Sequence, residues 1–185
     1  GELDRVQVRV VGLEELLVGK LLALLDRGAA RDVWDVANFS AETMGIVRSR
    51  PFRSRFIALS AILDHPFPTY TKDRLKSMLT DRALSQNLAP MLASSEPLRS
   101  ADLIDSAWAV VQQFLALEPN EEEYIANIQC GELMPQLLFT AGSEDAKTIS
   151  EHPAILWKVL NVRNHLRKQN KKGKNRSTQG SVKEG

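Results

Sequence analysis

Two periods of hydrophobic residue organise this chain. From Arg5 to Val11 the pattern alternates, with Val6, Val8 and Val10 on one face and Arg5, Gln7 and Arg9 on the other. β-branched residues at period two predict a half-buried strand. A lone strand leaves its backbone groups unpaired, so its sheet partners are expected elsewhere. After Val11 the period becomes helical. Leu13–Leu25 reads as a helix with Glu14 and Glu15 in its first turn, where acids complement the dipole, and with Gly28 beyond its end. Arg31–Phe39 predicts a second, short helix and Ser54–Leu63 a third, stopped by His65-Pro66-Phe67-Pro68. Thr71–Leu79 and Asp81–Leu88 read as helices broken around Thr80. Ser100 is placed to cap a longer helix that buries Leu103, Ala107, Val110, Val111, Phe114 and Leu117. Asn120 with Glu123 has capping-box spacing for a helix through Cys130, closed by Gly131. Pro153 suits the first turn of a last helix, Ala154–Lys168, whose apolar side is Ile155, Val159, Val162 and Leu166. The expected fold is mainly α, a helical bundle with one N-terminal β-strand.

Two residues break this pattern usefully. On the first helix Leu13, Leu16, Leu17, Leu21 and Leu24 share a face, and Lys20 falls between Leu16 and Leu13 on it. A lysine there either stretches its ammonium to water or holds a fixed anion such as a phosphate or carboxylate. In Arg31-Asp32-Val33-Trp34-Asp35, the two acids are three residues apart and lie on one helical face. Either Asp32 caps the helix with Asp35 in its first turn, or the carboxylates orient a cation or a catalytic base. Arg31 can pair with them or engage a phosphate. The turn Asp26–Ala30 is short, so the two helices pack together and Lys20 and Asp35 can meet.

Composition narrows the class. The 185 residues are 43% hydrophobic and 25% charged, which suits one globular domain with an appendage. One cysteine, Cys130, excludes an internal disulfide framework and a four-cysteine zinc site; as a thiol without an adjacent base it is expected to be buried. The histidines His65, His152 and His165 lack zinc-ligand spacing and read as structural, with no metal site in the chain. Trp34, Trp108 and Trp157 sit among aliphatics and are expected in the core. Apolar runs such as Leu21–Leu25 are far shorter than the roughly 20 residues that cross a membrane, and a cytoplasmic setting without membrane partners is expected. No GxGxxG, Walker or GxSxG motif occurs.

Charge is unevenly spread. Between Arg163 and Gly185 lie eight basic residues and one acid, a net of +7, so the whole-chain value of +1 leaves −6 for residues 1–162. Such a tail is either a solvated, disordered terminus or a contact for nucleic-acid phosphates. Lys158, Asn161, His165 and Lys168 align on one polar face of the last helix. That face is either solvated or an RNA-facing stripe continuing through Lys171 and Lys172.

The run from Leu13 to Asp35 resembles the AbiEii/AbiGii nucleotidyltransferase toxins, which carry an LEE-x-x-x-x-K-x-x-A helix followed by RD-x-x-D. Here these are Leu13-Glu14-Glu15, Lys20, Ala23, Arg31-Asp32 and Asp35. Phe56–Ser60, Pro68-Thr69-Tyr70, Gly131-Glu132-Leu133 and His152–Lys158 also resemble the family's carboxy-terminal half, so the likeness spans roughly residues 5–168. It implies a toxin of a type IV toxin–antitoxin or abortive-infection system with a polymerase-β-like nucleotidyltransferase fold. It further implies an NTP and Mg2+ as cofactors, transfer RNA as acceptor and a cognate antitoxin as partner. By the same likeness Lys20 and Asp35 would be catalytic, with Lys20, Arg31 and Asp32 binding the nucleotide.

One departure is large: the family's Gly-Ser turn and Asp-x-Asp metal motif are absent, and phosphoryl transfer rests on metal-neutralised charge. Together with the unpaired strand and an opening on Gly1, this leads us to expect the carboxy-terminal portion of a split or truncated toxin. Residues 1–39 would end its nucleotidyltransferase domain, 40–168 form a helical domain and 169–185 a basic tail, with the metal ligands in a missing N-terminal half. The rival expectation is a non-catalytic helical module that binds RNA or antitoxin.

Overall fold

The computed structural model describes residues 12–92 and 98–180, with side chains through residue 169. Among them are ten α-helices and several 3-10 turns. The strand expected at Arg5–Val11 lies outside the described residues. The chain groups into two compact units, one from Gly1–Phe52 with Thr71–Gln113 and the other from Arg53–Tyr70 with Phe114–Gly185.

In the first unit, α1 (Leu13–Asp26) buries Leu17, Val18, Leu21, Leu22, Leu24 and Leu25. The buried stripe is rotated from the expected one, because Leu13 and Leu16 are about half exposed. Lys20, four residues beyond Leu16, therefore stands on the flank of α1 rather than among core leucines. The helix ends at Gly28, whose φ of +54° suits glycine and turns the chain at once into α2 (Ala30–Ala37). α2 packs against α1, α6 (Asp81–Asn87) and most extensively α7 (Ser100–Val111), burying Val33 and Val36 completely. Each such side chain contributes about 1.5–3 kcal/mol of hydrophobic stabilisation, so α2 is held by its core face.

Capping accounts for the shorter helices. Ser40 accepts the Thr43 N–H at 3.1 Å to start α3 (Ala41–Val47), a helix too short and mixed for its periodicity to reveal. Thr71 and Thr80 cap α5 (Lys72–Met78) and α6, so the expected break at Thr80 is a helix start. Ser100 departs from expectation. It is the first residue of α7 rather than its cap, and its N–H donates to Asp81 Oδ1 at 2.8 Å, so the acceptor comes from another helix. Accepting from both the hydroxyl and the N–H of Ser100 holds the Asp81 carboxyl below the usual carboxylate range.

The second unit centres on aromatics. α4 (Arg50–Leu59) starts earlier than expected, with Pro51 in its first turn, and yields after Leu59 to a 3-10 turn. Phe56 meets Phe67 edge-on at 5.4 Å and Phe114 at 4.5 Å between ring centroids. The fully buried Tyr124 closes this core with its hydroxyl donating to the Ala58 carbonyl at 3.3 Å, and burial pushes its pKa up. α8 (Pro119–Gln129) begins before the expected Asn120 box because Pro119 fills the first helical position. The return bond of its capping box runs from the Glu118 N–H to Glu121 at 2.9 Å. α8 closes at Gly131, with φ of +78°, and its carbonyl accepts from Arg163 Nε at 2.6 Å. A Cβ there would sit 2.6 Å from Arg163 Cγ, so only glycine permits the approach.

α9 (Glu144–Glu151), capped by Ser143, was not anticipated. α10 runs over Pro153–Gly180, past the expected end at Lys168. Lys, Arg, Gln and Asn continue a helix more readily than Pro or consecutive Gly would. Ile155 and Val159 face the core, while Trp157 is 67% exposed. The expectation of a core tryptophan fails there because residue 157 lies nearly opposite 155 and 159 on the helix. Cys130 is likewise exposed rather than buried, at the open end of α8.

Candidate functional site

The first unit brings together two of the residues singled out in the sequence. Lys20 Nζ of α1 is hydrogen-bonded and ion-paired to Asp35 Oδ2 of α2, across the turn at Gly28. Their side chains remain 38% and 34% exposed. A pair this wet is worth about 0–1 kcal/mol to the fold, so its partners are free to exchange with a ligand at little structural cost.

Asp32 occupies a different environment. It is the third residue of α2, not the cap, since Ala29 precedes the helix without a side-chain cap bond. Its Oδ1 accepts from Arg27 Nη2 at 2.9 Å, while its Oδ2 is buried with no hydrogen-bond partner among the described residues. Arg27 was not anticipated as a partner. The signal was present in its position, since a cation ending α1 lies beside an acid in the first turn of α2. The Arg27–Asp32 bond links the end of α1 to the first turn of α2. Arg31 is exposed and has no partner among the described residues. It lines a separate recess with Met78, Gln86, Asn87 and Pro90 rather than joining the ion pair.

The residues named as an RNA stripe lie in the second unit. Lys158 Nζ donates to the Leu63 and Asp64 carbonyls at 2.6 and 3.3 Å. His165 Nε2 and Gln169 Nε2 are 2.7 Å apart on the exposed surface, and Lys168 is exposed. Lys158 and His165 line one cavity, which Lys168 does not reach. Lys171 and Lys172 lie on α10, beyond the described side chains.

Divalent-cation chemistry can be tested against these side chains. Mg2+ takes oxygen ligands in octahedral geometry, usually one or two carboxylates with phosphates. Asp35 is already neutralised by Lys20, the free oxygen of Asp32 is sealed from solvent, and no cluster of three ligating side chains occurs among the described residues. These groups do not fit a metal site by themselves. No helix among the described residues is long and apolar enough to cross a membrane.

Comparison with known proteins places this geometry in context. The model of one family, the nucleotidyl transferase AbiEii toxins of type IV toxin–antitoxin systems, matches residues 2–114. The matched span contains Lys20, Arg31, Asp32 and Asp35. No curated protein and no solved structure matches the chain.

Proposed function

Because the chain belongs to the AbiEii nucleotidyl transferase toxin family of type IV toxin–antitoxin systems, we propose that it contributes the Lys20–Asp35 pair to a nucleotidyltransferase site. That site would transfer nucleotides from an NTP to an RNA acceptor, with transfer RNA the acceptor we favour. The observation that carries this reading is the ion pair itself. Lys20 and Asp35 occupy the lysine and final aspartate positions of the motif this chain shares with the family, lie on different helices, and meet in a half-exposed setting where an ion pair adds little to the fold. On arrival of substrate the Lys20 ammonium moves from the carboxylate to the triphosphate, for which a compact cation is suited. Asp35, released, accepts a hydrogen bond from the attacking hydroxyl and orients it. Arg31, on the same helix as Asp35 but lining a separate recess, offers a second cation to the nucleotide from outside the pair, and Asp32 is engaged by Arg27.

The family's chemistry calls for Mg2+, whose ligands we assign to an Asp-x-Asp motif on a companion N-terminal half. As functional segments, residues 1–39 then end a polymerase-β-like domain, 40–168 form its helical companion and 169–185 a basic extension. The setting we propose is the cytoplasm, where NTP and RNA meet, with a cognate antitoxin as partner. A second reading, a non-catalytic RNA-binding module, draws on the cavity beside α10.

The test is to co-express the chain with a polypeptide carrying the Gly-Ser and Asp-x-Asp motifs and to measure labelled-nucleotide transfer to transfer RNA. Transfer is expected with Mg2+, falling about a hundred-fold in Lys20→Ala or Asp35→Ala, the scale of losing one electrostatic contact to the reacting charge. Transfer that survives both substitutions, or no transfer at all from the reconstituted pair, overturns the proposal.

A further inference from the structure

The second unit contains a cavity of about 510 Å³ between the turn after α4, the C-terminal half of α8 and the middle of α10. Three of its properties belong together. Its floor and one wall are apolar, formed by Leu63, Phe67, Tyr124, Ile125 and Ile128. Its lining also carries hydrogen-bonding groups from His65, Gln129, Asn161 and His165, with one carboxylate, Asp64. At its rim stands Trp157, a large ring left 67% exposed, where a purely structural tryptophan would be covered. Lys158 adds a cation; with two carbonyl acceptors already engaged it keeps one N–H to donate.

We propose that this cavity receives an unpaired nucleotide of an RNA strand, whose phosphates then follow α10. A volume of this size falls within the range of small-ligand sites. A cavity whose lining joins apolar side chains, an exposed aromatic ring and amide or imidazole groups is the chemistry that takes an unstacked base, by stacking and by hydrogen bonds to its edge. The strand is the polyanion because the charge is so divided. Arg163–Gly185 carries +7 while the preceding residues sum to −6, so the chain's excess positive charge is gathered on this helix and the residues after it, where it favours a polyanion. From Lys158 to Arg176 the helix rises roughly 27 Å at its usual pitch, long enough to accompany several phosphates. Lipid headgroups would need no amide-lined cavity, and an acidic protein no cavity for a single ring. The inference deepens the RNA part of the proposed function and rests on it for the nature of the strand.

The experiment uses the full chain without NTP or metal, so it reads binding alone and a failure of nucleotidyl transfer leaves it standing. A fluorescently labelled single-stranded 12-nucleotide RNA is titrated by anisotropy in low and moderate salt, and tryptophan emission is followed in parallel. Expected are tighter binding of the single strand than of the matching duplex, weakening with salt, and quenching that is lost in Trp157→Ala. Both Trp157→Ala and Asn161→Asp should weaken binding about ten-fold, the scale of one lost base contact. Both residues are exposed, and an unchanged melting temperature confirms that each variant is folded. The proposal is overturned if either folded variant binds like the parent or if duplex binds as tightly as single strand. Displacement of the RNA by polyglutamate or by anionic vesicles at matched charge overturns it equally, in favour of an acidic protein or a membrane.

Discussion

Each compact unit joins a cation to a carboxylate across two helices, and the two arrangements are opposite in kind. In the second unit Glu121 is 1% exposed and takes Arg53 through both oxygens, at 2.7 and 2.6 Å, while Arg53 also donates to the Ala116 carbonyl. Every polar atom of that carboxylate is used, since it also receives the Glu118 N–H. In the first unit Lys20 and Asp35 meet through one oxygen and keep about a third of their surface in water. A cation–carboxylate pair therefore stands in two contrasting settings. Buried and saturated, it locks a helix start in place; half-wet and unsaturated, it adds little to the fold and keeps both charges in reach of solvent.

Substitutions separate the two. Glu121→Ala takes the carboxylate away from a largely covered Arg53 and opens the start of α8, so unfolding free energy should fall by about 3–5 kcal/mol, measured by urea denaturation. A loss below about 1 kcal/mol would erase the contrast. Lys20→Met should cost less than about 1 kcal/mol in the same measurement, although the substitution removes the candidate nucleotide contact. A large loss would make that pair structural as well.

The smallest effect concerns the exposed cap of α7. Asp81 has a lowered folded pKa, so its stabilising contribution is complete above the unfolded value of about 3.8 and disappears as pH falls through the folded value. Melting temperatures of the parent and Asp81→Asn should differ by a constant amount near neutrality and converge below about pH 4. Curves that stay parallel to pH 2 would remove Asp81 from the cap.

Much of this contrast was legible from residue order, and what was hidden has physical causes. The Lys20–Asp35 meeting follows from helical period plus a short turn, both local quantities. Arg27–Asp32 is nearly as local, but Asp32 also satisfies the rules for a cap, and residue type cannot choose between a free N–H and a neighbouring guanidinium. Arg53–Glu121 spans 68 residues, and no periodicity reports a partner at that distance. The exposure of Trp157 escapes the sequence pattern for a related reason. Counting aliphatics around an aromatic shows a helix but not which of its faces is turned inward until the neighbouring helices are placed. The cavity at α10 is hidden in the same way, because its walls come from three separated stretches of chain. The Asp81–Ser100 cap similarly joins two helices through an acceptor that the sequence around Ser100 does not contain.

The hairpin of α1 and α2 turns at a left-handed Gly28 and carries both members of its ion pair within sixteen consecutive positions, Lys20 to Asp35. Both charges thus belong to one short stretch, and their meeting depends on helix geometry and a single turn rather than on a pairing across the chain.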